Sequence, residues 1–172
     1  MRPSYVDIID QLDLPQVLAE FDPIVIGTPP LGIATARSDI DIACFASDFG
    51  RFDRAVRRAF GEMQAFSIRT ADHLPDLATV ASFFACGWEI EIFCQEIETE
   101  KQWGVRHFRV EERLLALQPR LRQQISCLKQ GGMKTEPAFA RILGLAGDPY
   151  EAILQLEDLS DAQLVDLLDA AG

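Results

Sequence analysis

The fold is decided by residues 24–45, which read IVIGTPPLGIATARSDIDIACF. An apolar run, Ile24–Ile26, is followed by a Gly-Thr turn, a loop rich in Pro and Gly, and a second apolar run that carries Asp39 and Asp41. Alternate side chains of a strand share a face, so we expect these two carboxylates to project together, about 6.5–7 Å apart along the strand. Carboxylates among apolar residues are costly to bury unless they are paired or bind a cation. The Asp pair is therefore the candidate chemical centre.

A second acidic strand is predicted at Trp88–Cys94, which reads WEIEIFC. Glu89 and Glu91 would share one face of this strand, and the apolar residues between them would share the other. Alone, the pattern is typical of an ordinary half-exposed strand. Its interest is that it repeats the carboxylate-apolar-carboxylate pattern of the Asp pair.

The rest of the first half alternates helical and strand patterns. In chain order, we predict a helical segment over 4–21 with Ser4 as its cap and Asp7 completing a capping box, a helix that Gly61 ends, strands over 64–70 and 77–86, a turn around His73 and a hairpin at Cys86-Gly87.

From about residue 99 the pattern becomes helical. Helices are predicted to end before Pro119 and at Gly131-Gly132, and later ones to begin with Thr135, Asp148 and Ser160 as their N-terminal caps. We therefore expect an α+β fold, in which an α/β core with an N-terminal helix (1–98) carries a helical annex (99–172) packed on it.

Charge and hydropathy limit the possible partners. With 27 acidic and 16 basic residues the net charge is −11, which makes a long nucleic acid an unfavourable partner. A helix over 49–60 concentrates four arginines, which form either a solvated face or a basic surface for a phosphate-bearing substrate: Arg51, Arg54, Arg57 and Arg58. No apolar stretch is long enough to span a bilayer and the start lacks a secretory pattern, so we expect a soluble, cytoplasmic protein.

Together, the Gly27-Thr28 turn, the Asp39-Ile40-Asp41 strand and the later acidic strand resemble the nucleotidyltransferase superfamily, the fold shared by the DNA polymerase β catalytic core and small bacterial nucleotidyltransferases. More narrowly, the segments IGTPPLGI, SDIDI and WEIEIFCQ look like a bacterial family of unknown function assigned to that superfamily. The similarity covers roughly residues 24–115 and reaches the Arg106-His107 helix. It implies a nucleotidyltransferase-like mixed β-sheet flanked by helices.

This resemblance implies a magnesium site. Asp39 and Asp41 would hold the metal, and Glu89 or Glu91 would complete the site or accept the proton of an attacking hydroxyl. The sequence does not fix the strand register. Glu89 is favoured as the metal ligand because it enters the strand first, and both residues are kept as catalytic candidates.

It also implies a nucleotide-binding turn. Gly27 would let the backbone approach the triphosphate, and the Thr28 hydroxyl would donate to a phosphate oxygen. Beside the Asp pair, Arg37 and Ser38 are further candidates, with Arg37 supplying compensating charge or pairing with a nearby carboxylate. His107 either has a structural role, capping a helix or lying at the edge of the core, or it binds the acceptor or shuttles a proton.

The implied function is Mg²⁺-dependent transfer of a nucleoside monophosphate from a nucleoside triphosphate to a hydroxyl of a small molecule or a protein. The alternative is a catalytically inactive binding module of the same fold, because Pro29 and Pro30 remove two backbone N–H groups that could hold phosphate. A two-metal nuclease is a weaker alternative.

Overall fold

The computed structural model describes residues 2–71 and 76–171. Within these ranges five strands form one sheet: β1 (Ile24–Ile26), β2 (Ile40–Phe45), β3 (Gln64–Ala71), β4 (Ala78–Ala85) and β5 (Trp88–Gln95). The helices are α1 (Tyr5–Gln11), α2 (Leu14–Val17), α3 (Thr28–Leu31), α4 (Phe49–Phe60), α5 (Trp103–Leu117), α6 (Leu121–Gln130), α7 (Thr135–Leu143), α8 (Pro149–Leu154) and α9 (Asp161–Ala171). Short 3₁₀ turns cover Ala19–Phe21 and Thr99–Lys101. The turn predicted around His73 lies outside the described residues.

The sheet is mixed, with strand order β1-β2-β5-β4-β3. β2 and β5 run parallel, and the other neighbouring strands are antiparallel. The predicted α+β fold, a mixed sheet with flanking helices, is confirmed. Among the helices described here, none is both long and apolar enough to cross a membrane.

Internal contacts divide the chain into two compact units. The first contains Met1–Pro29 and Ser38–Val105, and the second contains Pro30–Arg37 and Arg106–Gly172. The predicted division between residues 98 and 99, with the annex packed on the core, stays a prediction.

One face of the sheet in the first unit carries the hydrophobic core. Ile40 and Ile42 of β2 and Ile90 and Ile92 of β5 are fully buried in a cluster that includes Phe52 of α4. Each such side chain contributes about 1.5–3 kcal/mol on burial. Because strand side chains alternate, the residues between these isoleucines, Asp41 and Glu91 among them, project from the opposite face. The arginine-bearing helix α4 therefore lies on the side of the sheet away from Asp41.

Local interactions determine where several elements begin and end. The predicted capping box is confirmed, since the Asp7 N–H donates to the Ser4 hydroxyl and the Ser4 N–H donates to the Asp7 carboxylate. The predicted hairpin is also confirmed: Cys86 (φ +49°) and Gly87 (φ +83°) form the two-residue turn between β4 and β5. Positive φ at both positions matches the twist of a tight hairpin.

The second unit is helical. Its buried residues include Leu114, Ile125, Phe139, Ile153 and Leu164. The predicted caps at Asp148 and Ser160 are confirmed by hydrogen bonds to the first turns of α8 and α9. Helix α7 begins at Thr135 itself, so the residue at its N-cap is Lys134 and the predicted cap is wrong by one position.

A buried carboxyl group lies in this unit. Glu111 is 4% exposed, and among the described residues its Oε1 has no hydrogen-bond partner. Burial raises the pKa of Glu111 well above its ordinary value, and Glu136 raises it further, whereas Lys129 lowers it. The folded chain therefore binds this proton more tightly than the unfolded chain does.

We expect this proton to make stability depend on pH. The stabilisation is complete below the unfolded-state pKa of about 4.3 and is lost as the pH rises through the higher folded-state pKa. The free energy of unfolding should therefore fall over that window in the wild type and change less in Glu111→Gln, which keeps the shape without ionising. Urea unfolding at several pH values, followed by the far-ultraviolet circular dichroism of the helices, measures how the free energy of unfolding changes with pH in the wild type and in the variant. The exposed neighbour Glu112→Gln is the matched control, and equal slopes in wild type and Glu111→Gln would contradict the assignment.

Candidate functional site

Three carboxylates converge at the start of β2. The parallel register places Asp41 directly beside Glu91 of β5, and Asp39 immediately precedes β2. One carboxylate oxygen each of Asp39, Asp41 and Glu91 lies within 4.8 Å of the others. All three residues are half-buried, so the group is accessible but partly removed from water.

Glu91, and not Glu89, belongs to this cluster. This corrects the preference for Glu89 as the metal ligand. Glu89 is exposed and pairs with Phe84 of β4, two residues before the position that faces Asp41. Two residues along a strand correspond to about 6.6 Å, so the register alone decides which glutamate meets the Asp pair.

The charge environment of Glu91 favours a cation. Burial raises the pKa of Glu91, and the nearby carboxylates of Asp39 and Glu89 raise it further, while Arg69 lowers it. Nη2 of Arg69 lies 3.4 Å from Oε1 of Glu91. Like charges held this close repel one another unless a positive group is shared between them.

Gly27 is required by Asp41. It follows the β1 residue that pairs with Asp41, and its φ is +81°. A Cβ built at this position would collide with Oδ2 of Asp41. Glycine at position 27 therefore leaves space for the Asp41 carboxylate. The predicted close approach of the Gly27 backbone to a triphosphate stays a prediction.

Thr28 and Ser38 are joined beside the carboxylates. The Thr28 hydroxyl donates to the Ser38 hydroxyl at 2.8 Å. Arg2, which sequence analysis missed, donates through Nη1 to the Ser38 carbonyl at 2.9 Å, and its guanidinium carbon lies 3.4 Å from the centre of the Trp88 ring. These contacts hold the residue that precedes Asp39. No local pattern signals them, because the partners lie 36 and 86 positions away from Arg2.

The two prolines are compatible with a helix. Pro29 and Pro30 occupy the second and third positions of α3, where a backbone N–H has no partner within the helix. Arg37 is exposed, and its backbone N–H donates to the Thr35 hydroxyl at 3.3 Å. Its role towards phosphate stays a prediction.

His107 makes a contact within the helical unit. It is buried, and its Nε2 lies 2.9 Å from the Tyr150 carbonyl oxygen. The His107 and Tyr150 rings meet edge to face, with centres 6.1 Å apart. These contacts fit the structural alternative for His107.

The family described as "Domain of unknown function (DUF4269)" matches residues 7–156. The chain belongs to this family. No curated protein matches it. The bacterial origin implied by the sequence resemblance stays a prediction.

Several solved structures have a similar fold. A structure of Cid1, described by its RNA terminal uridylyl transferase activity, has a TM-score of 0.58 at 13% identity and covers 96% of this chain and 61% of its own. Cid1 poly(U) polymerase bound to MgGTP has a TM-score of 0.53 at 13% identity, with 89% and 48% coverage. The GLD-2/RNP-8 complex has a TM-score of 0.54 at 10% identity, with 96% and 74% coverage.

This chain spans 39–61% of the length of such Cid1 chains. At these identities the likeness shows the fold alone. The resemblance to nucleotidyltransferases read from the sequence is confirmed at the level of the fold.

The carboxylate cluster fits a divalent metal. Carboxylate oxygens are the ligands that Mg²⁺ prefers, and two oxygens bound to one Mg²⁺ are at most about 4.2 Å apart. The spacing of up to 4.8 Å therefore requires only a small contraction of flexible side chains. The site that the sequence predicts at Asp39 and Asp41 is chemically suitable, with Glu91 as the third group.

Proposed function

We propose that this chain is a metal-dependent nucleotidyltransferase that moves a nucleoside monophosphate from a triphosphate to a hydroxyl group. The observation that carries the proposal is the convergence of Asp39, Asp41 and Glu91 on one face of a sheet with the nucleotidyltransferase fold. The fold alone does not establish activity. The position of the three carboxylates supplies the chemical reason.

The reaction would be a displacement at phosphorus. The acceptor hydroxyl oxygen forms a bond to the α-phosphorus, the bond from that phosphorus to the oxygen bridging the α- and β-phosphorus atoms breaks, and pyrophosphate leaves with the bonding electron pair. The hydroxyl proton passes to Glu91 or, where Glu91 serves as a metal ligand, to solvent. Bound Mg²⁺ would supply the positive charge that stabilises the developing negative charge on these oxygens.

The chain's own residues would hold and orient the reactants. Asp39 and Asp41 are the proposed ligands, and Glu91 either completes the metal site or accepts the proton of the attacking hydroxyl. The turn at Gly27-Thr28 is the proposed triphosphate contact. There the Thr28 hydroxyl, which donates to Ser38 in this structure, would turn to a phosphate oxygen.

The proposed acceptor is a small molecule or a protein. Some structures of similar fold are named for RNA terminal transferase activity, so the expectation that a long nucleic acid is not the substrate stays a proposal. Its support is the charge of −11, which opposes polyanion binding.

A catalytically inactive binding module is the second candidate. Pro29 and Pro30 favour it, because α3 lacks two N–H groups that other helices offer to phosphate. Such a module would bind metal and nucleotide without releasing pyrophosphate.

Thermal unfolding with metal and nucleotide tests the proposal. A ligand at a concentration 100 times its dissociation constant raises the free energy of unfolding by about 2.7 kcal/mol. For a chain of this size, that raises the melting temperature by roughly 5–10 °C. We expect such a rise with Mg²⁺ plus at least one of ATP, GTP, CTP and UTP, and its loss when EDTA is added.

Each outcome has a defined meaning. Absence of a metal-dependent rise with all four nucleotides would reject both candidates. A rise accompanied by pyrophosphate release across a panel of hydroxyl acceptors would favour the enzyme. A rise without release across that panel would favour the binding module.

A further inference from the structure

A row of polar side chains continues from the carboxylates across the sheet. Asp41 of β2 pairs with Glu91 of β5, Glu91 pairs with Ser82 of β4, and Ser82 pairs with Ser67 of β3. Directly paired residues share a face, so these four side chains project from the same side. We call this row the carboxylate face.

The carboxylate face is the side of the sheet from which a substrate could reach Glu91. The opposite side is filled by buried residues of α1, α2 and α4. On the carboxylate face the Ser67 and Ser82 hydroxyls lie 3.0 Å apart. Phe84, two residues from Ser82, is 41% exposed. Hydroxyl groups and an accessible aromatic ring therefore lie beside the third carboxylate.

Arg69 brings a positive charge to this face. It lies two residues from Ser67 on β3, so it projects on the same side, and its side chain is 49% exposed. Its contact with Glu91 is long for a charged hydrogen bond, 3.4 Å against the usual 2.7–2.9 Å. The guanidinium is therefore weakly held and has further N–H groups to offer an anion.

We propose that the carboxylate face binds the acceptor, and that the acceptor is a small hydroxyl compound carrying a phosphate or carboxylate group recognised by Arg69. This rests on the proposed function and specifies its substrate class. Arg69 is a specificity-determining residue, since a guanidinium binds both anions through paired N–H groups.

The short distance between Arg69 and Glu91 limits the size of the acceptor. Because Arg69 already reaches Glu91, an anion at its guanidinium and a hydroxyl at Glu91 lie only a few bonds apart and belong to one small molecule. Charge supports the same conclusion: Arg69 contacts Glu91, and the carboxylates of Asp39 and Glu89 lie close enough to act on Glu91 as well. These clustered negative charges repel the repeated phosphates of a polymer.

Binding of three-carbon probes tests the assignment in the intact chain with Mg²⁺. Nuclear magnetic resonance titration would compare glycerol 3-phosphate and glycerate with glycerol. We expect at least one anion to bind about tenfold more tightly than glycerol, the effect of one charged hydrogen-bonded contact. The two anions separate phosphate from carboxylate recognition.

Variants of Arg69 test whether this residue causes the preference for an anion. Arg69→Gln should reduce the preference for the anion to about twofold or less, and Arg69→Lys should restore part of it. The matched control is Arg58→Gln, which removes an exposed arginine from α4 on the other side of the sheet and should leave the preference unchanged. Equal loss in Arg58→Gln would overturn the assignment by showing a general charge effect.

The outcomes separate this proposal from the proposed function. If the metal-dependent rise with nucleotide is present but the wild type does not prefer the anion, or Arg69→Gln keeps the preference, the acceptor proposal fails alone. If an RNA oligonucleotide binds more tightly than both anions through Arg69, the small-molecule assignment is wrong. If the wild type shows no metal-dependent rise, the proposed function fails and the acceptor role fails with it.

Discussion

The double exchange Asp39→Asn with Asp41→Asn is expected to abolish the Mg²⁺-dependent rise in melting temperature with nucleoside triphosphates. Asparagine keeps the size of each side chain but removes two of the three clustered negative charges. Any nucleotidyl transfer should fall by more than about 1,000-fold, because each group that stabilises charge at such a centre contributes about 10²–10³. Differential scanning fluorimetry and a pyrophosphate-release assay measure the two effects.

The metal-free melting temperature separates this result from unfolding. Replacing Asp39 relieves repulsion on Glu91, and the double variant is expected to stay folded without ligand, as its metal-free melting temperature would show. Asp53→Asn on α4 is the matched control: it removes a half-buried carboxylate whose ion pair with Arg57, one helical turn away, contributes little. An unchanged nucleotide response in the double variant would remove the site assignment.

The same assays rank the two glutamates. Glu91→Gln should weaken the metal-dependent response and reduce transfer about 100-fold, because Glu91 lies in the cluster. Glu89→Gln, two positions earlier and exposed, should stay within a few-fold of the wild type. The reverse order would return the role of third carboxylate to Glu89.

The sequence predicts that Glu89 and Glu91 share a face of β5, but it does not predict which of the two lies beside Asp41. Alternation places Glu89 and Glu91 on one face, and that local property is readable from WEIEIFC. Which of them meets Asp41 depends on the parallel register of β2 and β5, whose partners lie fifty residues apart in sequence. Ile40, Ile42, Ile90 and Ile92 are buried on the opposite face, but a shift of two residues would leave all four on that face. The alternation of the sequence therefore does not tell Glu89 from Glu91.

Interactions between near neighbours in sequence could be predicted because both partners lie in one short segment. Contacts between distant segments could not, because they depend on the folded sheet. The Ser4 and Asp148 caps and the Cys86-Gly87 hairpin depend on residues within three or four positions. The contact of Arg2 with Ser38 and that of Arg69 with Glu91 each join separate elements. An arginine on the polar face of a predicted strand was the available signal for Arg69, but its partner required the three-dimensional sheet.

Gly27→Ala is expected to eliminate the metal-dependent response while leaving a folded chain. Two costs act at this position. The positive φ of +81° disfavours alanine by about 1–2 kcal/mol. The added methyl group also collides with Oδ2 of Asp41, so the carboxylate must leave its place in the cluster or the turn must move.

Comparison with Gly147→Ala separates the collision with Asp41 from the cost of positive φ, because Gly147→Ala carries only the cost of positive φ. Gly147 has a nearly equal φ of +87°, but a Cβ built there meets nothing within 4 Å. Gly147→Ala should therefore lose about 1–2 kcal/mol of unfolding free energy in urea and Gly27→Ala at least as much, whereas only Gly27→Ala should lose the rise with Mg²⁺ and triphosphate. If Gly27→Ala kept that rise, Asp41 would not need the space that glycine leaves, and the close fit of turn and carboxylate would have no functional consequence. If both variants lost it, the response would follow general stability rather than the position of Asp41.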